Sequence, residues 1–194
     1  MLPRIAKRPR PLPSLEDARS GAKVVAANAD DLLIAARTMG ANGLFGPAVS
    51  FLVLSLEEAE KARALIAIVT GDDSSGLSDD ELRDIIYWDH KARHVAAFTH
   101  SISRTTLAKL VKPARRFTPL LRKQFDADMA ALAWHLDANS LKQRGLYVDY
   151  KSNRWQTPRE LTEEDFSRGL QIVKRFVEVT VRLAASVARV NPGS

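Results

Sequence analysis

The sequence predicts an all-helical bundle of about five helices that follows an extended N-terminal arm. Apolar residues recur at helical spacing over long stretches, and helix caps and breakers separate those stretches. No pair of segments shows the alternation that is typical of paired strands. With 194 residues, of which 45% are hydrophobic, the chain is long enough for one domain with a substantial core.

The N-terminal part divides into an arm and two helices. Four prolines within residues 1–13 predict an extended, basic arm. The first helix begins after Ser14, an N-cap residue, and ends near Gly40, where glycine breaks the apolar repeat. The second helix is predicted over residues 47–69, before the loop GDDSSGLS.

The rest of the chain predicts three further helices. Ser78 and Glu81 form a capping-box pattern that opens a third helix, which we expect to continue to Lys112, just before a proline. A fourth helix is predicted over residues 119–144, and LYVDYKSNRWQTP after it as irregular or briefly extended. Thr162 caps the last helix, so the predicted domain covers residues 14–190.

The chain has a net charge of +6, and the excess lies in one stretch. Between His90 and Phe125 there are nine Lys and Arg residues and no Asp or Glu, which leaves 20 basic and 23 acidic residues elsewhere. Such a field attracts phosphate backbones or acidic partners, unless acidic neighbours balance it in the fold. The predicted nucleic-acid-binding residues in this stretch are Lys91, Arg104, Arg115, Arg116 and Arg122.

The second predicted helix carries charged residues among its apolar ones. On a helical wheel, Glu57 and Lys61 share an arc with Leu54 and Leu65, and Glu58 lies at its margin. Burying a carboxylate costs several kcal/mol unless it is paired. We therefore expect this arc to face an ion-pair network inside the fold or a cleft.

The third predicted helix holds the residues most capable of chemistry. His90, His94 and His100 lie within eleven positions and share a face with Arg93. Imidazole is a general acid or base near neutral pH, and guanidinium binds phosphate. An exposed face that happens to be basic is the alternative. The H-x-x-x-H spacing alone is a weak metal signal, so no metal site is predicted.

Several classes of protein are disfavoured by what the sequence lacks. There is no cysteine, which excludes disulfides, thiolate metal sites and a cysteine nucleophile. Neither a signal peptide nor an apolar run of about 18 residues is present, so we expect a soluble cytoplasmic protein without membrane contact. No glycine-rich phosphate loop or nucleophile elbow occurs, and no cofactor is predicted.

Three segments in order resemble the AbiV-type abortive-infection proteins, a branch of the all-helical HEPN superfamily. They are AVSFLVLSLEEAEKARAL, WDHKARH and KQRGLYVDY, and the resemblance spans residues 20–185. The family pattern has a serine and a Glu pair followed by Lys, then a D-H-x-x-K-like segment, then R-x-x-LYVD. This chain has Arg93 where the family often has Lys, which keeps the positive charge but changes the hydrogen-bond geometry.

The resemblance implies a HEPN-like bundle and a bacterial anti-phage role. HEPN relatives commonly act as homodimers and cut RNA without a metal, using an Arg followed within a few residues by a His. This chain offers Arg83 with His90 and Arg93 with His100, all on the third predicted helix, whereas the last helix has no histidine. Ribonuclease activity is thus left open, with His90, Arg93 and His100 as candidate catalytic residues.

We expect the charged residues to meet in one polar cluster that faces His90 and Arg93. Its other predicted members are Glu57, Glu58, Lys61, Arg144, Tyr147 and Asp149. The cluster either fixes the helix register or lines a pocket for an RNA phosphate. Two functions remain: a defence effector that acts on RNA or translation, and a non-catalytic dimeric protein that binds a phage or host protein.

Overall fold

The computed structural model of the protein describes residues 10–71, 77–88, 90–101 and 119–189. This part of the chain is helical apart from one short hairpin and the connecting turns, as the sequence predicts. The elements are helices α1 (Leu15–Ala41), α2 (Phe45–Thr70) and α3 (Asp79–Arg83), a π-helix (Asp84–Trp88), α4 (His90–Ser101), α5 (Pro119–Leu146), strands β1 (Asp149–Lys151) and β2 (Arg154–Gln156), a 3₁₀ turn (Pro158–Glu160) and α6 (Glu163–Val187).

Three helices begin where the sequence predicts. The Ser14 side chain accepts a hydrogen bond from the Asp17 amide at 3.1 Å at the start of α1. Reciprocal capping boxes open α3 at Ser78 and α6 at Thr162. These bonds satisfy amides that have no partner within the helix, and acidic residues in the first turn favour the helix dipole.

Helix α2 lies at the centre of the bundle. It packs against α1, α6, α5 and α4, so its buried residues extend nearly all round its circumference. The small residues of α1 face inward and allow close helix packing, with alanines 18, 22, 26, 29 and 36 almost fully buried. The largest fully buried apolar side chains of the core are Leu52, Leu56, Ile85, Val49, Val53, Val173 and Val177.

The third predicted helix is not continuous in the structure. A five-residue π-helix separates α3 from α4, and residues 102–112 of the predicted helix lie outside the described part of the chain. Arg93 donates from Nε to the Ile85 carbonyl at 2.7 Å and from Nη2 to the Ile86 carbonyl at 3.5 Å. A π-turn offsets the carbonyls from their normal helical partners, and the Arg93 guanidinium satisfies two of them.

The prediction that no strands pair was wrong for residues 149–156. Strands β1 and β2 form an antiparallel hairpin in which Tyr150 is opposite Trp155. Ser152 and Asn153 form the two-residue turn with φ of 52° and 60°, the left-handed conformation of a type I′ turn. The sequence lacks the Asn-Gly or Asp-Gly pair that marks such turns, so the signal was easily missed.

The predicted arm lies mostly outside the described residues, which begin at residue 10. Residues 10–14 are not helical, and the Pro11 carbonyl accepts a hydrogen bond from the Tyr87 hydroxyl at 3.2 Å. None of the helices in the described ranges is both long and apolar enough to cross a membrane.

Candidate functional site

Glu57, in the middle of α2, is a buried carboxylate with partners on two other helices. Its side chain is only 2% exposed. Oε2 lies 2.7 Å from His90 Nδ1, and Oε1 lies 3.3 Å from His94 Nε2, both on α4. Oε1 also accepts a hydrogen bond from Lys142 Nζ of α5 at 2.7 Å. We call these residues, together with Arg93, the Glu57 cluster.

The turn spacing of α4 brings three residues of the cluster to the same face. His90 and His94 are one turn apart, and Arg93 lies between them, with Nη1 4.0 Å from Glu57 Oε2. Arg93 and His94 are buried, whereas the His90 side chain is 53% exposed. His90 is therefore the member through which the cluster meets solvent.

A close crossing of α5 and α2 brings Lys142 to Glu57. Ser50 Oγ donates to the Lys142 carbonyl at 2.9 Å. A Cβ on Gly145 would lie 2.1 Å from Ser50 Oγ and 2.3 Å from the Gly46 carbonyl oxygen. Glycine is thus required here for the close approach of the two helices. The predicted helix stops at residue 144, whereas α5 continues through Gly145 to Leu146.

Glu57 is ionised at neutral pH although it is buried. Burial raises the pKa of Glu57, but the hydrogen bonds from His94 and Lys142 and the charges of Lys142 and His90 together lower this pKa to about 2. An ionised carboxylate only accepts hydrogen bonds, so His90 Nδ1 and His94 Nε2 must both carry a proton. In neutral His90 the free lone pair is then on Nε2, at the ring edge opposite Glu57.

A second buried histidine lies behind the cluster. The rings of His94 and His135 are 6.2 Å apart between centroids, and Trp134 and Phe98 also contact His135. Burial, with a smaller contribution from His94, lowers the pKa of His135 to about 4, so this ring is neutral at pH 7. Neither ring nitrogen of His135 has a hydrogen-bond partner among the described residues.

The structure brings only part of the predicted polar cluster together. Glu58 and Lys61 form an ion pair with each other, and Asn28 of α1 donates to Glu58 Oε2 at 3.2 Å. Glu58 lies on the α1 side of α2, about 100° round the helix from Glu57, and Lys61 pairs with Glu58 there. This pair does not join His90 as the sequence predicted.

The predicted members after α5 also lie elsewhere. Asp149 pairs with Lys151 at 3.0 Å, and Tyr147 is 59% exposed. Arg144 lies between two recesses, one beside Trp134 and the other beside Tyr147 and the hairpin. None of these three has a contact with Glu57 among the interactions of the described residues.

The predicted catalytic and nucleic-acid-binding residues differ in their exposure to solvent. His90 is partly exposed, but Arg93 is turned inward to Glu57 and the π-helix carbonyls and is not available to a phosphate. Arg122 is exposed and pairs with Asp126 at 3.3 Å. The side chains of Lys91 and His100, and all of Arg104, Arg115 and Arg116, lie outside what the structure describes.

Sequence reasoning did not assign Lys142, His135 or Glu60 to a buried site, and noted His94 only as part of the polar face. Lys142 continues a stripe of buried residues on α5 that includes Trp134, Ala138 and Leu141. That helical spacing was a usable signal for a buried lysine. Glu60, one turn after Glu57, is fully buried. Its burial could not be predicted, because a charged residue is normally exposed.

The Glu57 cluster holds the imidazole ring of His90 in a fixed orientation, which suits this ring to proton transfer. Glu57 fixes the tautomer of His90 and stabilises the imidazolium that forms if Nε2 takes a proton. Arg93 and Lys142 carry one more positive charge than Glu57 neutralises. Within the described ranges, no group of three or more His, Asp or Glu side chains is arranged to hold a metal ion.

The fold and the cluster define an all-helical protein with a carboxylate–histidine site between three of its helices. The HEPN family model described as AbiV matches residues 17–178, and the chain belongs to this family. Comparisons with curated proteins and with solved structures gave no match.

Proposed function

We propose that the protein is a bacterial anti-phage abortive-infection effector that acts on RNA in the cytoplasm, with His90 as its general acid and base. The observation that supports this is the pair of buried, ionised Glu57 and half-exposed His90, joined at 2.7 Å. The domain over residues 14–190 acts as a homodimer, following its HEPN relatives.

The pair suits cleavage of RNA by its own 2′-hydroxyl. His90 Nε2 takes the proton of this hydroxyl as the oxygen attacks the neighbouring phosphorus. The bond to the 5′-oxygen breaks, and this oxygen receives a proton from the imidazolium. The products are a 2′,3′-cyclic phosphate and a 5′-hydroxyl. The carboxylate of Glu57 holds the ring in position and stabilises its positive charge between the two proton transfers.

Cleavage assays on matched variants test the proposal. Wild-type protein and the His90→Ala and Glu58→Gln variants are incubated with total RNA, and the products are examined for cyclic phosphate ends. We expect His90→Ala to lose cleavage and phage protection while staying folded with a modestly lower melting temperature, because its half-exposed side chain is one of several partners of Glu57. Glu58→Gln should retain both, because among the described residues Glu58 contacts Asn28 and Lys61 and not His90. Unchanged cleavage by His90→Ala would overturn the proposal.

The second candidate is a non-catalytic protein that binds a phage or host protein. It is favoured by the burial of Arg93 and Lys142, whose charges are engaged by Glu57 and so serve the packing of α2, α4 and α5. In this case His90→Ala would still protect against phage, and purified wild-type protein would leave RNA intact.

A further inference from the structure

The hairpin after α5 turns its aromatic face away from the protein. Cross-strand partners in an antiparallel pair lie on the same face, so Tyr150 and Trp155 share one side. Their rings contact each other, with centroids 5.2 Å apart. Trp155 is 66% exposed and Tyr150 is 56% exposed, although large aromatic side chains are normally well buried.

The opposite, polar face of the hairpin is also open to solvent, since the side chains of Asp149, Lys151 and Arg154 are 55%, 61% and 63% exposed. Asp149, Lys151 and Gln156 alternate with the aromatic residues and line a recess together with Gln143 and Arg144 of α5. A surface hairpin commonly packs its apolar face on the protein, whereas this one leaves its aromatic face in solvent. An exposed aromatic face of this kind adds no packing to the core, and we interpret it as a binding surface.

We propose that Tyr150 and Trp155 form a platform on which the unpaired bases of a single-stranded nucleic acid stack. Every base has a flat face that stacks on an aromatic ring, so such platforms tolerate any sequence. The proposal goes beyond the function proposed above, because binding at the hairpin does not require His90 to be catalytic.

The charge around the platform fits a nucleic acid strand. Residues 144–160 contain four basic residues, Arg144, Lys151, Arg154 and Arg159, and two acidic ones, Asp149 and Glu160. Arg154 pairs with Glu160 at 3.2 Å and Lys151 pairs with Asp149, which leaves Arg144 and Arg159 to supply the net positive charge. Alternation of aromatic and basic side chains is typical of surfaces that bind single strands.

The platform is small for a protein partner. The exposed parts of Tyr150 and Trp155 amount to roughly 180–300 Å², since a whole aromatic side chain buries about 150–250 Å². A stable protein interface needs about 800 Å² from each partner and a core depleted in charged residues. Charged residues flank both rings along their strands, and two rings suffice for two stacked bases.

The platform also lies near the Glu57 cluster along the chain. Lys142, which contacts Glu57, is followed by one helical turn and a short connection to Tyr150. The two Cα atoms are therefore separated by at most roughly 20 Å, given the rise of a helix and the reach of an extended chain. A bound strand of several nucleotides can span this distance.

Binding of labelled 12-nucleotide strands, followed by fluorescence anisotropy, tests the platform. The probes are single-stranded RNA, the matching DNA, the RNA duplex, and an abasic DNA strand that lacks bases. DNA has no 2′-hydroxyl and cannot undergo the proposed cleavage, so its binding is measured independently of His90. All RNA measurements use the His90→Ala variant, in which the strand stays intact.

We expect both single strands to bind, and the duplex and abasic strands to bind at least tenfold more weakly. Trp155→Ala should weaken single-strand binding by about tenfold or more, as expected for the loss of one stacked base. Trp155→Phe, which keeps a ring, should restore most of it, and Leu136→Ala, an exposed leucine on α5, should have no effect. Thermal melts establish that each variant is folded.

Equal binding of the duplex or abasic strand, or unchanged binding by Trp155→Ala, would overturn the proposal. So would a Trp155→Ala variant that loses a dimer in sedimentation while binding DNA normally, because the face would then be a protein interface. If wild-type protein binds single-stranded DNA but does not cleave RNA, this result counts against the proposed function alone.

Discussion

Glu57 shows how a charged residue is accommodated in a helical core. Three hydrogen-bonding partners and the nearby Arg93 offset the cost of removing its carboxylate from water, and the low pKa indicates that the ionised form is favoured on balance. Lys61, one turn further along α2, is held differently, since it pairs with Glu58 at a partly exposed position. The sequence placed Glu57 and Lys61 on one arc and could not separate these two environments.

We expect Glu57→Ala to lower the free energy of unfolding by about 3–5 kcal/mol, because Lys142 and Arg93 would remain buried without a counter-charge. Lys61→Ala and Glu58→Ala should cost less than about 1 kcal/mol, as is typical of partly exposed ion pairs. Urea unfolding of the three variants measures this difference. A loss in Lys61→Ala as large as that in Glu57→Ala would contradict the assignment of the two sites.

At the scale of elements, the sequence correctly predicted those helix starts that depend on hydrogen bonds within a few residues. Ser14, Ser78 and Thr162 begin helices because each offers an oxygen to an amide within its own first turn. The π-helix depends on Arg93, seven or eight residues further along, and the Lys142 contact joins residues 85 positions apart. Such long-range contacts leave only faint signals in a single sequence, so Lys142 was not foreseen in the Glu57 cluster and His94 was foreseen only as part of a polar face.

The crossing of α2 and α5 gives a test at this scale. Gly145→Ala would push a methyl group against Ser50 Oγ and the Gly46 backbone, so we expect the helices to separate and the variant to lose about 1–3 kcal/mol of stability, as in other overpacked cores. Separation would also draw Lys142 away from Glu57.

Gly21→Ala on α1 is the matched control for Gly145→Ala. Its new methyl group would meet only the end of the Leu65 side chain, at 3.3 Å. Because alanine favours a helix more than glycine does, we expect little change in its melting temperature or a small gain. Equal melting of the two variants would show that α2 and α5 do not cross as closely as described.

At the scale of the whole molecule, the buried ionisable groups connect stability to pH. The native pKa of Glu57 is about 2 and its usual value is 4.5, so its contribution is present above pH 4.5 and is lost as the pH falls toward 2. The native pKa of His135 is about 4 against a usual 6.5, so its neutral form favours the native state above pH 6.5. This contribution is lost as the pH falls from 6.5 to 4.

We therefore expect the free energy of unfolding to fall in two successive ranges on acidification, each by up to about 3 kcal/mol, since one pKa unit corresponds to about 1.4 kcal/mol. His135→Phe removes a buried ring whose nitrogens have no partner in the described structure, and places an apolar ring beside Trp134 and Phe98. This variant should be as stable as wild type at pH 7.5 and more stable at pH 5. Urea unfolding at both pH values measures the effect, and a wild-type stability that is unchanged between pH 7.5 and pH 5 would show that His135 does not titrate as a buried group.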